Sequence, residues 1–483
     1  MARTKIVATI GPSCRDVKML QKMIEAGMDV ARINCSHSEH DFIRDLVTDI
    51  REVATRLDQP VGILLDLSGP KLRTGKLEKG QIDLVEGKSF TLTSRKVPGD
   101  ESCVSTNYEP LAREVKAGDS ILLDDGLMEL KVVSTTETDC VCEVVTGGVL
   151  KNRQGINIPG VRLSIPALTE KDRADLAFGL KCEVDFVALS FVRDAQDILE
   201  LRELMADHWP TPMVIAKIEK PEAVAAIDEI LNVTDGVMIA RGDLGVELPP
   251  EQVPPVQKLI TRKAIAKGKP VITATQMLDS MVNNPRPTRA EASDVANAIF
   301  DGTDAVMLSE ESATGNYPIH AVRMMEKIAN EVETSQGKNQ LREDPQDVRS
   351  TAYAIAHAAC EMAVDLKARV IATFTKSGAT ARLISQLRPP VSIIALTQHG
   401  HVYNQLTLLW GTTPIMLTEV SDSISTLNSV EQTLCSTKEA SWRKGQHRYN
   451  RRFCLSRHAV RQALTIYLYA FLPLPSDWEL KGI

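Results

Sequence analysis

The chain has no apolar run of about 18 residues anywhere in its 483, so nothing in it reads as a membrane-spanning helix. It has no excess of positive charge. A net charge of −7 argues against a nucleic-acid protein and gives no reason to expect a membrane surface. Its nine cysteines include no CxxC pair. Cys140 and Cys142 share one face of an expected strand, but no second ligand pair matches them, and reduced thiols in a cytoplasmic protein are the expectation. The nine histidines show no metal-ligand spacing. The N-terminal MARTKIVATIGPS reads as a strand closed by Gly-Pro, not as a signal peptide. What remains is an ordinary soluble composition, 43% hydrophobic and 25% charged, at a length that calls for about three domains.

The most informative stretch is Met213 to Glu247, MVIAKIEKPEAVAAIDEILNVTDGVMIARGDLGVE. It reads as strand, helix, strand, with Lys220-Pro221 opening a helix to about Leu231. Both strands end in a cation and a carboxylate two residues apart: Lys217 and Glu219, then Arg241 and Asp243. Residues two apart on a strand face the same side. Two cations and two carboxylates are therefore expected to converge where neighbouring strands end. Two carboxylates suit a hard divalent ion such as Mg²⁺, which shares its remaining positions with water and substrate. Two buried structural salt bridges are the competing account.

The same rhythm runs through the chain. Expected strands are Lys5–Ile10, Val30–Ser36, Gly62–Leu67, Phe186–Phe191, the two above, Pro270–Met277 and Ala305–Glu311. Helices fall between them: Asp16–Ala26 closed by Gly27, Asp41–Leu57, a helix capped by Thr169, Ala195–Met205, Glu251–Ala266, Arg289–Phe300 and Ile319–Val332. Eight apolar strands alternating with eight helices predict a closed (β/α)₈ TIM barrel, with an open doubly wound sheet as the alternative. Asn34, Asp66, Lys217, Glu219, Asp243, Thr275 and Glu311 all fall at C-terminal strand ends, the face where barrels keep their chemistry. From about Leu77 to Leu163 no long helix is convincing, and short alternating runs predict an all-β insertion. After a charged linker, 335–349, a second α/β unit begins. Its TKSGAT turn puts hydroxyls and a glycine at a helix start, which suits an anion or a plain N-cap. The expected domains are a catalytic barrel from 1–70 and 166–340, a β-barrel lid domain at 71–165, and a C-terminal α/β regulatory domain at 345–483.

ATIGPS, ARINCSH, LLDLSGPKLRTG, KIEKPE, ARGDLGVE, TATQMLDSM and PTRAEASDVANAIFDGTDAVMLSEESATGNYP together resemble pyruvate kinase. The resemblance implies transfer of phosphate from phosphoenolpyruvate to ADP, giving pyruvate and ATP in glycolysis. It implies that Arg32 holds the transferring group and that Arg73 reaches nucleotide and phosphoryl oxygens. Glu219 and Asp243 would bind Mg²⁺ (or Mn²⁺). The backbone at Gly242 and Asp243, with Thr275, would bind the substrate carboxylate. Lys217 would stabilise the transition state, and Thr275 with water is the candidate for protonating the enolate. Asn34, Ser36 and Asp66, with the carbonyl of Leu67, match the family's monovalent-cation ligands. Asn34, Ser36 and His37 also fall on the nucleotide side. A homotetramer and an allosteric effector, a phosphorylated sugar or nucleotide, are further implications. Another phosphoenolpyruvate- or pyruvate-handling barrel enzyme is one alternative, and an inactive regulatory relative is the other. The lid argues against the first and the intact polar set against the second.

The sequence departs from the family pattern at several points. Lys71 stands where potassium-dependent members carry Glu, and a fixed ammonium can replace a bound monovalent cation, so activity without K⁺ is expected. A simple surface salt bridge is the bland account of Lys71. Gln154 replaces a lid lysine that reaches the nucleotide, with Arg153 as the stand-in. From about Leu434 the resemblance stops, and Lys438–Arg461 is strongly basic. A replaced or frame-shifted tail is one reading, and a segment that touches acidic partners or lipid is the other.

Overall fold

The structure is a computed structural model that describes residues 2–36, 38–335, 350–368 and 370–417. The linker from 336, His37 and the tail beyond 417, with the expectations made for them, lie outside the described residues.

The first three strands are β1 (Lys5–Thr9), β2 (Val30–Asn34) and β3 (Gly62–Asp66). The insertion supplies β4 (Gln81–Leu84), β5 (Ser89–Thr93), β6 (Cys103–Ser105), β7 (Ser120–Leu123), β8 (Met128–Thr135), β9 (Asp139–Thr146), β10 (Gly148–Lys151) and β11 (Ile156–Asn157). The parallel rhythm then resumes with β12 (Phe186–Leu189), β13 (Met213–Ile218), β14 (Gly236–Ala240), β15 (Val271–Ala274) and β16 (Ala305–Leu308). Last come β17 (Val370–Phe374), β18 (Ser392–Thr397) and β19 (Thr412–Met416).

The eight parallel strands form a closed barrel in the order β1-β16-β15-β14-β13-β12-β3-β2. Closure rather than an open sheet is seen in β1 pairing with β16, Lys5 opposite Ala305 through Ala8 opposite Leu308. Barrel strands are short and buried at nearly every position, as apolar strands covered on both faces must be.

By contacts the chain divides into two compact units, one from 1–32, 44–64 and 277 onward, the other from 33–43 and 65–276. In the first, Asp16 caps the helix Val17–Ala26 and Gly27 closes it in the left-handed region. Thr288 and Glu291 form a capping box on Arg289–Asp301. The same unit holds the three-stranded parallel sheet β17-β18-β19, packed with helices Thr351–Asp365 and Ala379–Gln386. The TKSGAT turn opens the second of these helices with Gly378 as its N-cap, at a φ of 80° and without a side-chain capping bond, as in the plain N-cap reading.

In the second unit, Thr169 and Asp172 make the expected capping box on Glu170–Lys181. The insertion is all-β apart from one short helix, Leu111–Glu114. It forms a six-stranded sheet, β11-β7-β8-β9-β5-β6, and a two-stranded ribbon, β10-β4, around one apolar cluster that includes Phe90, Leu130 and Leu150. The expected helix from Pro221 is two pieces, Pro221–Ala225 and Ile227–Val233, broken at Ala226.

One correction matters for function. β14 ends at Ala240, and Arg241–Glu247 is a helix, so Arg241 and Asp243 do not share a strand face. β15 likewise stops at Ala274. Thr275 and Gln276 follow in the left-handed region, with φ of 69° and 51°. Glu311 lies in the short helix Glu310–Ala313 rather than on a strand.

Candidate active site

Lys217 is the hub of the second unit. It points from the end of β13 to side chains at the ends of two other strands. Its Nζ lies 2.9 Å from Glu219 Oε1 and 3.3 Å from Asp66 Oδ1, and donates to Ser190 Oγ at 2.6 Å. Asp66 closes β3, and Ser190 follows β12. The sequence reading missed Ser190, although the rule that found the other strand-end residues applies to it equally.

Glu219 is fully buried. Its Oε2 accepts the backbone N–H of Phe191 at 2.7 Å. Its Oε1 pairs with the Lys217 ammonium at 2.9 Å. Burial pushes the Glu219 carboxyl above the usual carboxylate range. The Lys217 ammonium opposes that rise, and the Asp243 carboxylate adds to it. A buried carboxylate beside a second carboxylate is a ready ligand for a hard cation. Among the described residues no set of three or more His, Cys, Asp or Glu is grouped to hold a metal. The pair Glu219 and Asp243 is what the site offers, and it suits an ion that takes few protein oxygens.

Asp243 sits in the first turn of Arg241–Glu247, where the helix N-terminus favours a carboxylate. The backbone N–H of Gly242 donates to Thr275 Oγ1 at 2.7 Å, and that hydroxyl donates to Ala274 O at 2.6 Å. Arg241 follows β14 directly, as the first residue of the helix Arg241–Glu247. Its Nε and Nη2 donate to the carbonyls of Ala274 at 3.2 Å and Thr275 at 2.8 Å, bracing the turn that carries Thr275. Glu311, in the other unit, is also scaffold: its carboxylate takes the amides of Leu278 and Ser309.

Asn34 and Ser36 fall in one tight turn, Asn34 Oδ1 accepting the Ser36 N–H at 3.1 Å. Cys35 between them donates its N–H to Asp66 O at 3.0 Å, and its carbonyl accepts Lys171 Nζ at 2.7 Å. Leu67 donates its N–H to Ala188 O. Gly69 adopts a φ of 63°, and a Cβ there would meet Phe191 Cδ2 at 2.6 Å, so only glycine fits. Arg32 belongs to the other unit, where it is buried and donates to Thr9 Oγ1 at 2.8 Å.

A cleft of about 220 Å³ lies in the second unit, lined among others by Lys71, Arg73, Gln154, Phe191, Lys220 and Asp243. Arg73 donates to Arg153 O at 3.1 Å, and Gln154 is held by a pair of bonds to Thr74. Lys71 is exposed and lines the cleft.

The family model for the pyruvate kinase barrel domain matches residues 1–322. The model for the pyruvate kinase alpha/beta domain matches 353–446, past Leu434 and into the basic segment, so the likeness reaches further than the motifs indicate. A pyruvate kinase from Staphylococcus aureus is 46% identical over 441 residues, 90% of this chain and 75% of that protein. Pyruvate kinase 2 from Synechocystis sp. is 49% identical over 431 residues, 88% of this chain and 73% of that protein. The crystal structure of a pyruvate kinase from Cryptosporidium parvum superposes with a TM-score of 0.84 at 38% identity, covering 91% of both chains. With matches of this extent across the barrel and the α/β region, the chain belongs to the pyruvate kinase family.

Proposed function

We propose that the family reaction, phosphoryl transfer from phosphoenolpyruvate to ADP, is carried out here around Lys217, Glu219 and Asp243. The observation that carries this reading is the Lys217 ammonium, held at 2.9 Å from a fully buried Glu219 carboxylate that also feels the charge of Asp243. Phosphoryl transfer needs positioning and positive charge more than covalent chemistry from the protein. The bond from phosphorus to the enol oxygen breaks, and a bond from phosphorus to an ADP oxygen forms. Pyruvate is left as its enolate.

Glu219 and Asp243 would hold the divalent cation, Mg²⁺ or Mn²⁺. When bound, that cation supplies Lewis-acid stabilisation of substrate oxygens. Lys217 supplies a fixed charge at the enolate oxygen. Arg32 grips the transferring group. The substrate carboxylate is bound by the Gly242 and Asp243 backbone together with Thr275. Thr275 also passes a proton through water to the enolate carbon. Arg73, with Arg153 for the neutral Gln154, steadies the nucleotide, and Asn34, Ser36 and His37 fall on its side. The insertion, as a lid over 71–165, excludes water so that ADP rather than water takes the phosphoryl group. The barrel would comprise 1–70 and 166–340, and the regulatory domain 345–483.

Lys71 would stand in for the monovalent cation that Asn34, Ser36, Asp66 and the Leu67 carbonyl ligate elsewhere in the family, so K⁺ is not needed. The support is an exposed ammonium on the cleft wall. A homotetramer, a cytoplasmic location and a phosphorylated-sugar or nucleotide effector at the TKSGAT turn complete the reading. No helix among the described residues is long and apolar enough to cross a membrane. The test is pyruvate formation from phosphoenolpyruvate and ADP with Mg²⁺, in buffer free of K⁺ and ammonium. Full activity that K⁺ barely raises supports both parts. Activity only with K⁺ removes the Lys71 argument, and pyruvate release that ignores ADP removes the transfer mechanism.

A further inference from the structure

Glu247 is a buried carboxylate to which the reaction above gives no part. Only 2% of its side chain is exposed, and its Oε1 accepts two donors: Lys220 Nζ at 2.6 Å and Asn157 Nδ2 at 3.0 Å. The three residues come from three segments. Lys220 directly follows Glu219. Glu247 lies one turn after Asp243 on the helix Arg241–Glu247, so the two carboxylates sit on one helix face. Asn157 belongs to β11 of the insertion. Phe191 adds another tie, since its N–H holds Glu219 Oε2 while its ring lies 5.9 Å from Lys220 Nζ. The pair Lys220–Glu247 therefore bridges the segment that carries Glu219 and the helix that carries Asp243. It does so out of water, where one ionised partner needs the other.

We propose that Glu247 is a positioning residue for the divalent-cation site. Its ion pair with Lys220 fixes the separation of the Glu219 and Asp243 carboxylates. Its bond from Asn157 makes that separation respond to how the insertion docks. The inference rests on reading Glu219 and Asp243 as the ligands. Groups that orient metal ligands from behind are typically worth about 10–100-fold in metal affinity.

The test is a titration of the full chain with Mn²⁺ in the absence of substrates, free Mn²⁺ being read by electron paramagnetic resonance. E247Q keeps the size of the side chain and removes its charge, and K220M removes the partner. Each is expected to weaken Mn²⁺ binding roughly tenfold. K220R, which keeps the pair, is expected to bind within about twofold of the wild type. N157L is expected to weaken binding by about two- to threefold, because one bond of the carboxylate is lost. Thermal unfolding without metal checks that each variant is folded, and K220M carries the test if E247Q is not. Wild-type Mn²⁺ affinity in folded E247Q and K220M, with E219Q and D243N abolishing binding, would overturn the role of Glu247 alone. Wild-type affinity in E219Q and D243N would instead overturn the ligand assignment beneath it. Wild-type affinity in N157L would remove the link to the insertion.

Discussion

The ends of β13 and β14 carry the same plan, an apolar run followed by cation, spacer and carboxylate, yet the two are used differently. After β13 the two side chains stay on one side, so Lys217 meets Glu219 at 2.9 Å and also reaches Asp66. After β14 the chain turns into a helix, Arg241 donates to the carbonyls of Ala274 and Thr275, and Asp243 lines the cleft. A shared local pattern thus yields a lysine hub at one strand end and an arginine brace on a neighbouring turn at the other. The backbone state after the strand, period two or period 3.6, decides which. The division is useful chemically. In the proposed mechanism the lysine serves a reacting oxygen and Asp243 a cation, while the arginine holds the Thr275 turn.

If that contrast is right, the two cations must differ sharply when removed. Lys217→Met should lower turnover at saturating phosphoenolpyruvate and ADP by roughly 10³-fold, the scale of losing a positioned charge at a developing oxyanion. Lys71→Glu should convert the enzyme to one that K⁺ activates by about tenfold, since a carboxylate there calls for a cation; rates with and without K⁺ measure it. Arg241→Met should cost only a few-fold in turnover but about 1 kcal/mol in stability, because the half-buried Thr275 carbonyl loses this donor, while the Ala274 carbonyl keeps the Thr275 hydroxyl. Urea denaturation reads the second number, and a turnover loss equal to that of Lys217→Met would erase the distinction between the strand ends. Thr169→Ala, which removes a helix cap far in sequence from both strand ends, should cost about 1 kcal/mol in stability. It should leave the Mg²⁺ dependence of turnover unchanged.

The barrel was legible because its strands are short, buried and apolar, and each needs only its own residues to be seen. Lys217, Glu219 and Asp66 were found because they sit at strand ends, where an ionisable side chain after a buried run stands out. The fate of Arg241 was not legible. Its partners, the carbonyls of Ala274 and Thr275, are thirty-odd residues away and become available only because β15 ends in left-handed backbone. Ser190 and Glu247 were missed for related reasons. A serine after FVAL and a glutamate seven residues into a helix look unremarkable until long-range packing buries them beside Lys217 and Lys220. Pairing within the insertion was equally hidden, since register there depends on strands far apart, such as Leu92 with Cys140.

The most direct measurement is the rate of pyruvate formation from phosphoenolpyruvate and ADP as a function of free Mg²⁺, in the wild type, Glu219→Gln, Asp243→Asn and Arg241→Met. The account predicts that both carboxylate variants lose turnover on the order of 10²-fold or more and need far higher Mg²⁺. It predicts that Arg241→Met keeps the wild-type Mg²⁺ dependence. An unchanged Mg²⁺ response in either carboxylate variant, or a shift in Arg241→Met as large as theirs, would contradict it.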